Sequence, residues 1–264
     1  MTDRPDRSAD PAQRLDVLCA EFKLPTIKAE LAKRLRDTGL ENALDIVVQT
    51  FELEAADRRQ RRVDRLRSAS LLPPGKTFDT FDFARLPRKL QVQLRELARG
   101  DFVERCANVL AFGLPGVGKS HAMIALGHAL VERGISVYFT AAFKLVQLLL
   151  AAKRALELPR ALRRLDRFDV ILVDDIGYVQ QSADDAEVLF TLLAERYERR
   201  ALVLTSNLVF SQWDRIFGNP MATAAAIDRI VHHSVILEFN VPSYRTANAK
   251  APADIAQPPT EVNA

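Results

Sequence analysis

The chain reads as an α/β protein: a parallel sheet sandwiched by helices, preceded by a small all-helical domain. Three observations lead there. Short, wholly apolar runs alternate with helix-length stretches from residue 108 onward. A glycine-bearing phosphate-loop pattern joins the first of those runs to a helix. Residues 13–70 hold one glycine, Gly39, and one proline, Pro25, while their apolar residues recur at helical spacing. A chain of 264 residues, 48% of them apolar, is long enough for one good-sized domain plus a smaller one.

Residues 1–12 are polar and charged and carry two prolines, which predicts a disordered start. In residues 13–70 the apolar positions fall in three groups: Leu15, Leu18, Cys19 and Phe22; Ile27, Leu31 and Leu35; Leu44, Val47, Val48 and Phe51. The last helix runs into Arg58, Arg59, Arg61, Arg62, Arg65 and Arg67, with Asp57 and Asp64 the only acids nearby. Residues 71–77, with consecutive prolines and a glycine, cannot continue a helix and are read as the linker. The larger domain is placed at 78–247. Its expected strands are Asn108–Phe112, Ser136–Thr140, Val170–Val173, Ala201–Ser206 and Ser234–Phe239, each too apolar to alternate faces. Between them, helices are expected over Lys119–Arg133, Ala142–Arg154, Pro159–Leu165, Asp184–Arg199 and Met221–His232. Residues 248–264 turn to Ala, Pro and polar residues, which predicts a disordered tail.

Directly after the first strand comes Gly113-Leu114-Pro115-Gly116-Val117-Gly118-Lys119-Ser120, a full match to GxxxxGK[ST], with His121 continuing into the helix. Glycines let the backbone curl so that N–H groups point at phosphate oxygens, and the helix start adds unpaired donors and a positive dipole end. Lys119 supplies a mobile cation for the β- and γ-phosphates, and the Ser120 hydroxyl is placed to ligate Mg²⁺. Order and composition together make this a P-loop nucleotide-binding domain.

A second anchor is the apolar strand that ends in Asp174-Asp175. Carboxylates at the tip of a buried parallel strand face the ligand crevice, where Asp174 can hold Mg²⁺ and Asp175 can orient or deprotonate an attacking water. The strand ending in Thr205-Ser206-Asn207 places a neutral amide where it can report on the γ-phosphate or help fix that water; a turn-forming role for Asn207 is the alternative.

Phosphate loops serve many machines. The stretch from about Thr77 to Arg245 resembles the AAA+ ATPases of the DnaA/DnaC clade, and within it most closely the IstB-type transposition helpers. The resemblance rests on Asn108-Val109-Leu110, Gly127-His128-Ala129-Leu130, Val173-Asp174-Asp175-Ile176-Gly177-Tyr178, Leu193-Ala194-Glu195-Arg196-Tyr197-Glu198, Thr205-Ser206-Asn207-Leu208 and Asp228-Arg229-Ile230-Val231-His232-His233. It implies ATP and Mg²⁺ as ligands, a sensor role for Asn207, and an arginine finger at Arg229 that reaches the ATP of a neighbouring subunit. Such helpers usually carry Glu where this chain has Asp175, which draws the carboxylate back by one methylene. Too little chain follows Phe239 for the helical lid of most AAA+ proteins, and Arg245 is not counted among the site residues.

The implied activity is ATP hydrolysis coupled to homo-oligomer assembly on duplex DNA, with preparation of target DNA and recruitment of a cognate transposase. A DnaC-type helicase loader is the alternative, and a nucleotide-binding scaffold without turnover a third class. Lys153, Arg154, Arg160, Arg163, Arg164 and Arg167 give residues 153–167 a net charge of +4, just after Lys144. By the resemblance this helical insertion tracks DNA, with phosphate contacts that give affinity rather than base specificity. Arg58, Arg59, Arg61 and Arg62 form a second basic patch, for which DNA clamping, partner contact and a salt-bridged helix all stand open.

The remaining composition excludes several classes. With 37 Lys+Arg against 34 Asp+Glu the net charge is only +3, so the chain is no polybasic coat protein. Cys19 and Cys106 lie far apart and outside metal-binding spacings, which argues against a disulfide framework or a cysteine zinc site. None of the four histidines shows metal-ligand spacing; His232 and His233 are adjacent and are read as pointing to different helix faces, and all four are taken as structural. The longest aliphatic stretch, Leu145–Ala152, is far below the ~20 residues of a membrane span. No membrane role and a cytoplasmic location are expected.

Overall fold

A computed structural model describes residues 10–178 and 182–244, which form two compact units divided between Arg65 and Leu66. The first unit opens with α1 (Pro11–Glu21), which starts inside the stretch expected to be disordered. The reason is local: Asp10 caps the helix by accepting the Ala12 N–H, and Pro11 occupies the first turn, where its missing donor costs nothing. Helix α2 (Pro25–Asp37) and α3 (Ala43–Ser70) follow. Leu15, Leu18, Cys19, Val48 and Ala55 are buried here, with Phe22, Ile27, Leu31, Val47 and Phe51 packed against them.

Two arginines of the basic stretch of α3 are occupied with acids of the same helix. Arg58 pairs with Glu54 at 2.6 Å and lies over the Phe22 ring at 4.3 Å, and Arg61 pairs with Asp57 one turn earlier. These i,i+4 pairs support the salt-bridged-helix reading for Arg58 and Arg61.

The unit division falls inside α3, ahead of the expected 71–77 linker. The last turn of α3 belongs with the second unit: Ser70 is fully buried, Arg67 pairs with Glu132, and Leu72 sits so close to Gly127 that a Cβ there would lie 2.8 Å from Leu72 Cδ2. Beyond it come α4 (Arg88–Leu97) and α5 (Asp101–Glu104), two helices beyond those expected from the sequence. The signal was present in Leu90, Leu94 and Leu97, buried at i, i+4 and i+7.

The sheet then builds from β1 (Asn108–Phe112), α6 (Lys119–Glu132), β2 (Val137–Ala141), α7 (Ala142–Arg154), α8 (Leu158–Leu165), β3 (Val170–Asp174), α9 (Ala183–Arg196), β4 (Ala201–Ser206), α10 (Asp214–Phe217), α11 (Pro220–Val231) and β5 (Ser234–Glu238). All pairings are parallel, in the order β2-β3-β4-β1-β5. Leu110, Ile171, Val173, Leu202 and Leu204 pack against α7, α9, α10 and α11, while α6 lies against β1, β3 and β4 with α4 beside it. The sheet is therefore sandwiched by helices, as expected.

Three strands depart from expectation, β3 only by running one residue further, through Asp174. β2 starts one residue late because the Ser136 N–H and hydroxyl are both taken by the Asp169 carboxylate, at 3.0 and 2.6 Å. β5 is an edge strand rather than a buried one, with Ile236 39% exposed. No described helix is long and apolar enough to cross a membrane.

Arg196, 1% exposed at its side chain, fastens the sheet to its insertion. Its guanidinium donates to the carbonyls of Leu165, Phe168, Asp169 and Ala201 at 3.0–3.2 Å. Burial pushes its pKa down to about 10, so it remains charged at neutral pH.

Candidate functional site

The phosphate loop leaves the sheet through a narrow slot. Gly113 N–H donates to Ser206 O at 3.3 Å, and a Cβ at Gly113 (φ +154°) would lie 2.7 Å from Phe239 O. Only glycine passes here, between the end of β4 and the chain that follows β5. Gly116 and Gly118, at φ +83° and +97°, complete the curl. Lys119 is 4% exposed, and its Nζ donates to Gly113 O at 2.7 Å and Leu114 O at 2.9 Å. The ammonium is thus held at the mouth of the loop by the loop's own carbonyls.

This loop walls a cleft of ≈ 500 Å³. Of the residues predicted from sequence, Pro115, Gly116, Val117, Gly118, Lys119, Ser120, His121, Asp175 and Asn207 line it. Gly113 and Leu114 lie behind, engaged through Lys119. Asp174 stands one shell back. Thr205 Oγ1 donates to Asp174 Oδ1 and accepts the Asp175 N–H, so one buried hydroxyl sets both acids. Asp175 adopts φ +58°, a left-handed conformation that non-glycine residues enter at a cost of about 1–2 kcal/mol.

Asn207 reaches the cleft from the far end of β4. Its Oδ1 is buried and has no hydrogen-bond partner among the described residues. Gly177 makes room for it: a Cβ there would sit 2.1 Å from Asn207 Oδ1. A buried acceptor without a donor leaves the polar inventory incomplete, and a water or ligand hydrogen would complete it.

Sequence reasoning missed the other wall. Lys76, Thr80, Phe81, Asp82, Arg85 and Leu86 line the cleft ahead of the loop, and Val241 and Tyr244 close it from behind β5. Phe81 meets the His121 ring edge-on, with centroids 5.2 Å apart, and Thr80 Oγ1 lies 3.2 Å from His121 Nε2. Burial holds the His121 pKa below its ordinary value. His121 therefore belongs to the cleft rather than to a purely structural set. Tyr244 N–H donates to Gly116 O at 2.8 Å, and the Arg85 guanidinium stacks 4.9 Å from the Tyr244 ring while donating to Pro242 O. The three phenylalanines at 78, 81 and 83, just upstream of the loop, were the available signal.

Arg229 is not among the cleft residues. It is half-buried on α11, 4.9 Å from the Phe190 ring, and donates to Ala225 O at 3.0 Å. Arg245 lies outside the described residues.

The basic insertion divides. Lys153 is engaged by Asp184 and Glu187 at 2.9 and 2.8 Å, which raises its pKa. Arg160, Arg164 and Arg167 line a groove with Tyr138, Leu148 and Phe168, whereas Arg163 faces a separate hollow with Glu195. Arg160 keeps a long 3.3 Å pair with Glu157, and Lys144 and Arg154 are exposed.

The histidine reading requires one correction. Helix α11 ends at Val231, so His232 and His233 do not sit on opposite helix faces; their rings are 4.2 Å apart and both approach Glu198.

A glycine-bearing loop between β1 and α6, paired acids at the tip of β3 and a polar residue beyond β4 define a P-loop nucleotide-binding domain with the fold of the AAA+ class. A family model for IstB-like ATP binding proteins matches residues 19–251, and the chain belongs to that family. An insertion sequence ATP-binding protein of Sinorhizobium fredii is 41% identical over 239 residues, covering 89% of this chain and 80% of the relative. The IS21 ATP-binding protein of Pseudomonas aeruginosa is 35% identical over 233 residues, covering 88% of each. Among solved structures, AMPPCP-bound DnaA from Aquifex aeolicus matches with TM-score 0.55 at 17% identity, over 65% of this chain and 51% of that one. DnaI matches with TM-score 0.53 at 19% identity, over 64% of this chain and 95% of that one. At these identities the structural matches speak for the fold alone.

Proposed function

We propose that the chain is an ATP-hydrolysing AAA+ protein that assembles on duplex DNA and assists transposition of an insertion sequence. In this reading it prepares target DNA and recruits and stimulates the cognate transposase. The observation that carries it is the convergence of the phosphate loop, Asp175 and Asn207 on one cleft, while Arg229 stands apart on α11. The one arginine lining the cleft among the described residues, Arg85, is taken up by the Tyr244 ring and Pro242 O, which leaves a finger role to Arg229 of a second copy.

The residues fit ATP and Mg²⁺. Lys119 and the loop N–H groups would neutralise phosphate charge, Ser120 would offer Mg²⁺ a hard oxygen ligand, and Asp174, set back from the cleft, would hold the ion through its water shell. When bound, ATP supplies the phosphoanhydride to be cleaved and Mg²⁺ screens its charge. Asp175 orients the attacking water and receives its proton, while Asn207, on the wall of the same cleft, helps to fix that water. Arg229 from a neighbouring copy stabilises charge on the transferred phosphoryl group, so turnover follows assembly.

Arg160, Arg164 and Arg167 hold DNA through its phosphates, which ties affinity to salt rather than base sequence. The reading is supported by the insertion-sequence names of the relatives. Imaging the protein with Mg-ATP on duplex DNA, alongside turnover with and without that duplex, tests it. Ordered oligomers and DNA-stimulated hydrolysis are expected; ATP bound without turnover in either condition would leave only the scaffold.

A further inference from the structure

At the end of the sheet opposite the phosphate loop, the carboxyl ends of α9 and α11 meet. Glu198 follows α9, and His232 and His233 follow α11. One ligand atom from each of the three lies within 4.8 Å of the others. Glu198 Oε1 is 3.7 Å from His232 Nδ1 and 3.9 Å from His233 Nε2. Two ligands on a tetrahedral ion, with bonds of about 2.0–2.1 Å, sit roughly 3.4 Å apart, so small side-chain rotations close the set.

The backbone beneath these groups is fixed. His233 O accepts the Asn108 N–H at 2.7 Å, locking it to the start of β1, and His232 N–H donates to Asp228 O at 3.0 Å. The Tyr197 hydroxyl, 2.9 Å from His232 Nδ1, competes with an ion for that nitrogen, and the contact is given up when the ion binds there. Glu198 is held at φ +55°, a strained conformation for a side-chain-bearing residue, and it is this turn that brings its carboxylate towards both rings. Both helices present their carbonyl ends here, the pole that favours a cation. Nothing in the ATPase cleft uses these three residues.

We propose that Glu198, His232 and His233 form a binding site for a divalent transition-metal ion of the zinc type. Two imidazoles and one carboxylate suit such an ion, whereas Mg²⁺ and Ca²⁺ prefer all-oxygen sets. The side chains are 52–60% exposed, so a fourth coordination position faces solvent. An ion there ties the end of α11, the helix that carries Arg229, to the turn between α9 and β4.

The test uses the untagged full chain, free of nucleotide and chelator. Titration with Co²⁺ is expected to give one saturable equivalent with the visible absorption of a low-symmetry, nitrogen-bearing site, displaced by Zn²⁺. His232→Ala, His233→Ala and Glu198→Gln should each weaken Zn²⁺ binding at least tenfold in calorimetry while leaving the circular dichroism spectrum unchanged. In the unsubstituted protein, Zn²⁺ should shield His232 and His233 from imidazole acylation, read by mass spectrometry, so the outcome does not depend on any variant folding. Absence of saturable uptake, uptake untouched by the substitutions, or acylation unaffected by Zn²⁺ would each overturn the proposal.

Discussion

Thr205 Oγ1 donates to Asp174 Oδ1 at 2.7 Å, and this bond couples the two acids at the tip of β3, because the same hydroxyl accepts the Asp175 N–H at 2.8 Å. Thr205→Val keeps the shape and removes both hydrogen bonds. It is expected to cost about 1–3 kcal/mol of stability and to slow ATP turnover roughly 100-fold by misplacing the carboxylates. Thr205→Ser should restore most of both. Chemical denaturation and steady-state turnover check this; turnover unchanged in the valine variant would free the acids from Thr205.

Gly177→Ala drives a methyl group to 2.1 Å from Asn207 Oδ1 and 3.0 Å from Leu208 Cγ. The side chain of Asn207 must move, at a cost of about 1–3 kcal/mol. Hydrolysis should fall while ATP affinity stays within a few fold, as seen by comparing nucleotide calorimetry with turnover.

Arg229→Ala should bind ATP normally and lose a factor of about 10³–10⁵ in hydrolysis, the usual range for an arginine finger. Lys119→Ala should fail to bind ATP. Mixing the two variants is the sharper measurement, since the Lys119→Ala chain can lend its arginine to the Arg229→Ala chain. Partial recovery of turnover on mixing is expected, and none would confine Arg229 to its place over Phe190.

Arg160 and Arg164 lie on one face at i and i+4, whereas Lys153 is occupied by two acids. Replacing both arginines by Ala should reduce the slope of log affinity for duplex DNA against log salt by about 0.9 for each DNA phosphate that is no longer neutralised. Lys153→Ala should leave the slope unchanged.

Burial lowers the pKa of His121, so its neutral form is the one the fold favours. Its contribution to stability is therefore intact above the ordinary histidine value of 6.5 and declines as pH falls below it, where the unfolded chain takes up the proton more readily. A His121→Asn variant should lose less stability than the unsubstituted protein between pH 7 and pH 5 in thermal melts.

Strand positions and loop chemistry were legible because they depend on local pattern. β1, α7 and β4 fall on their expected residues, since buried parallel strands and an apolar-faced helix write themselves as runs and periods. The phosphate loop, Asp175 and Asn207 were likewise readable from the strand ends that carry them. What stayed hidden depends on neighbours distant in sequence. Arg85 reaches Pro242 across more than a hundred and fifty residues, and no spacing announces that Phe81 will cover Gly118. The edge position of β5 was hidden too, because an exposed edge and a buried centre can share the same apolar letters. His232 and His233 were misplaced for a smaller reason, a helix that stops at Val231.

The buried guanidinium of Arg196 has a mechanical consequence. By gripping carbonyls at the end of α8, in the turn before β3 and at the start of β4, it makes the basic insertion a rigid outgrowth of the sheet instead of a hinged arm. A load applied to Arg160 or Arg164 is then felt at the root of the strands whose far tips carry Asp174 and Asn207, with no loose joint in between to absorb it.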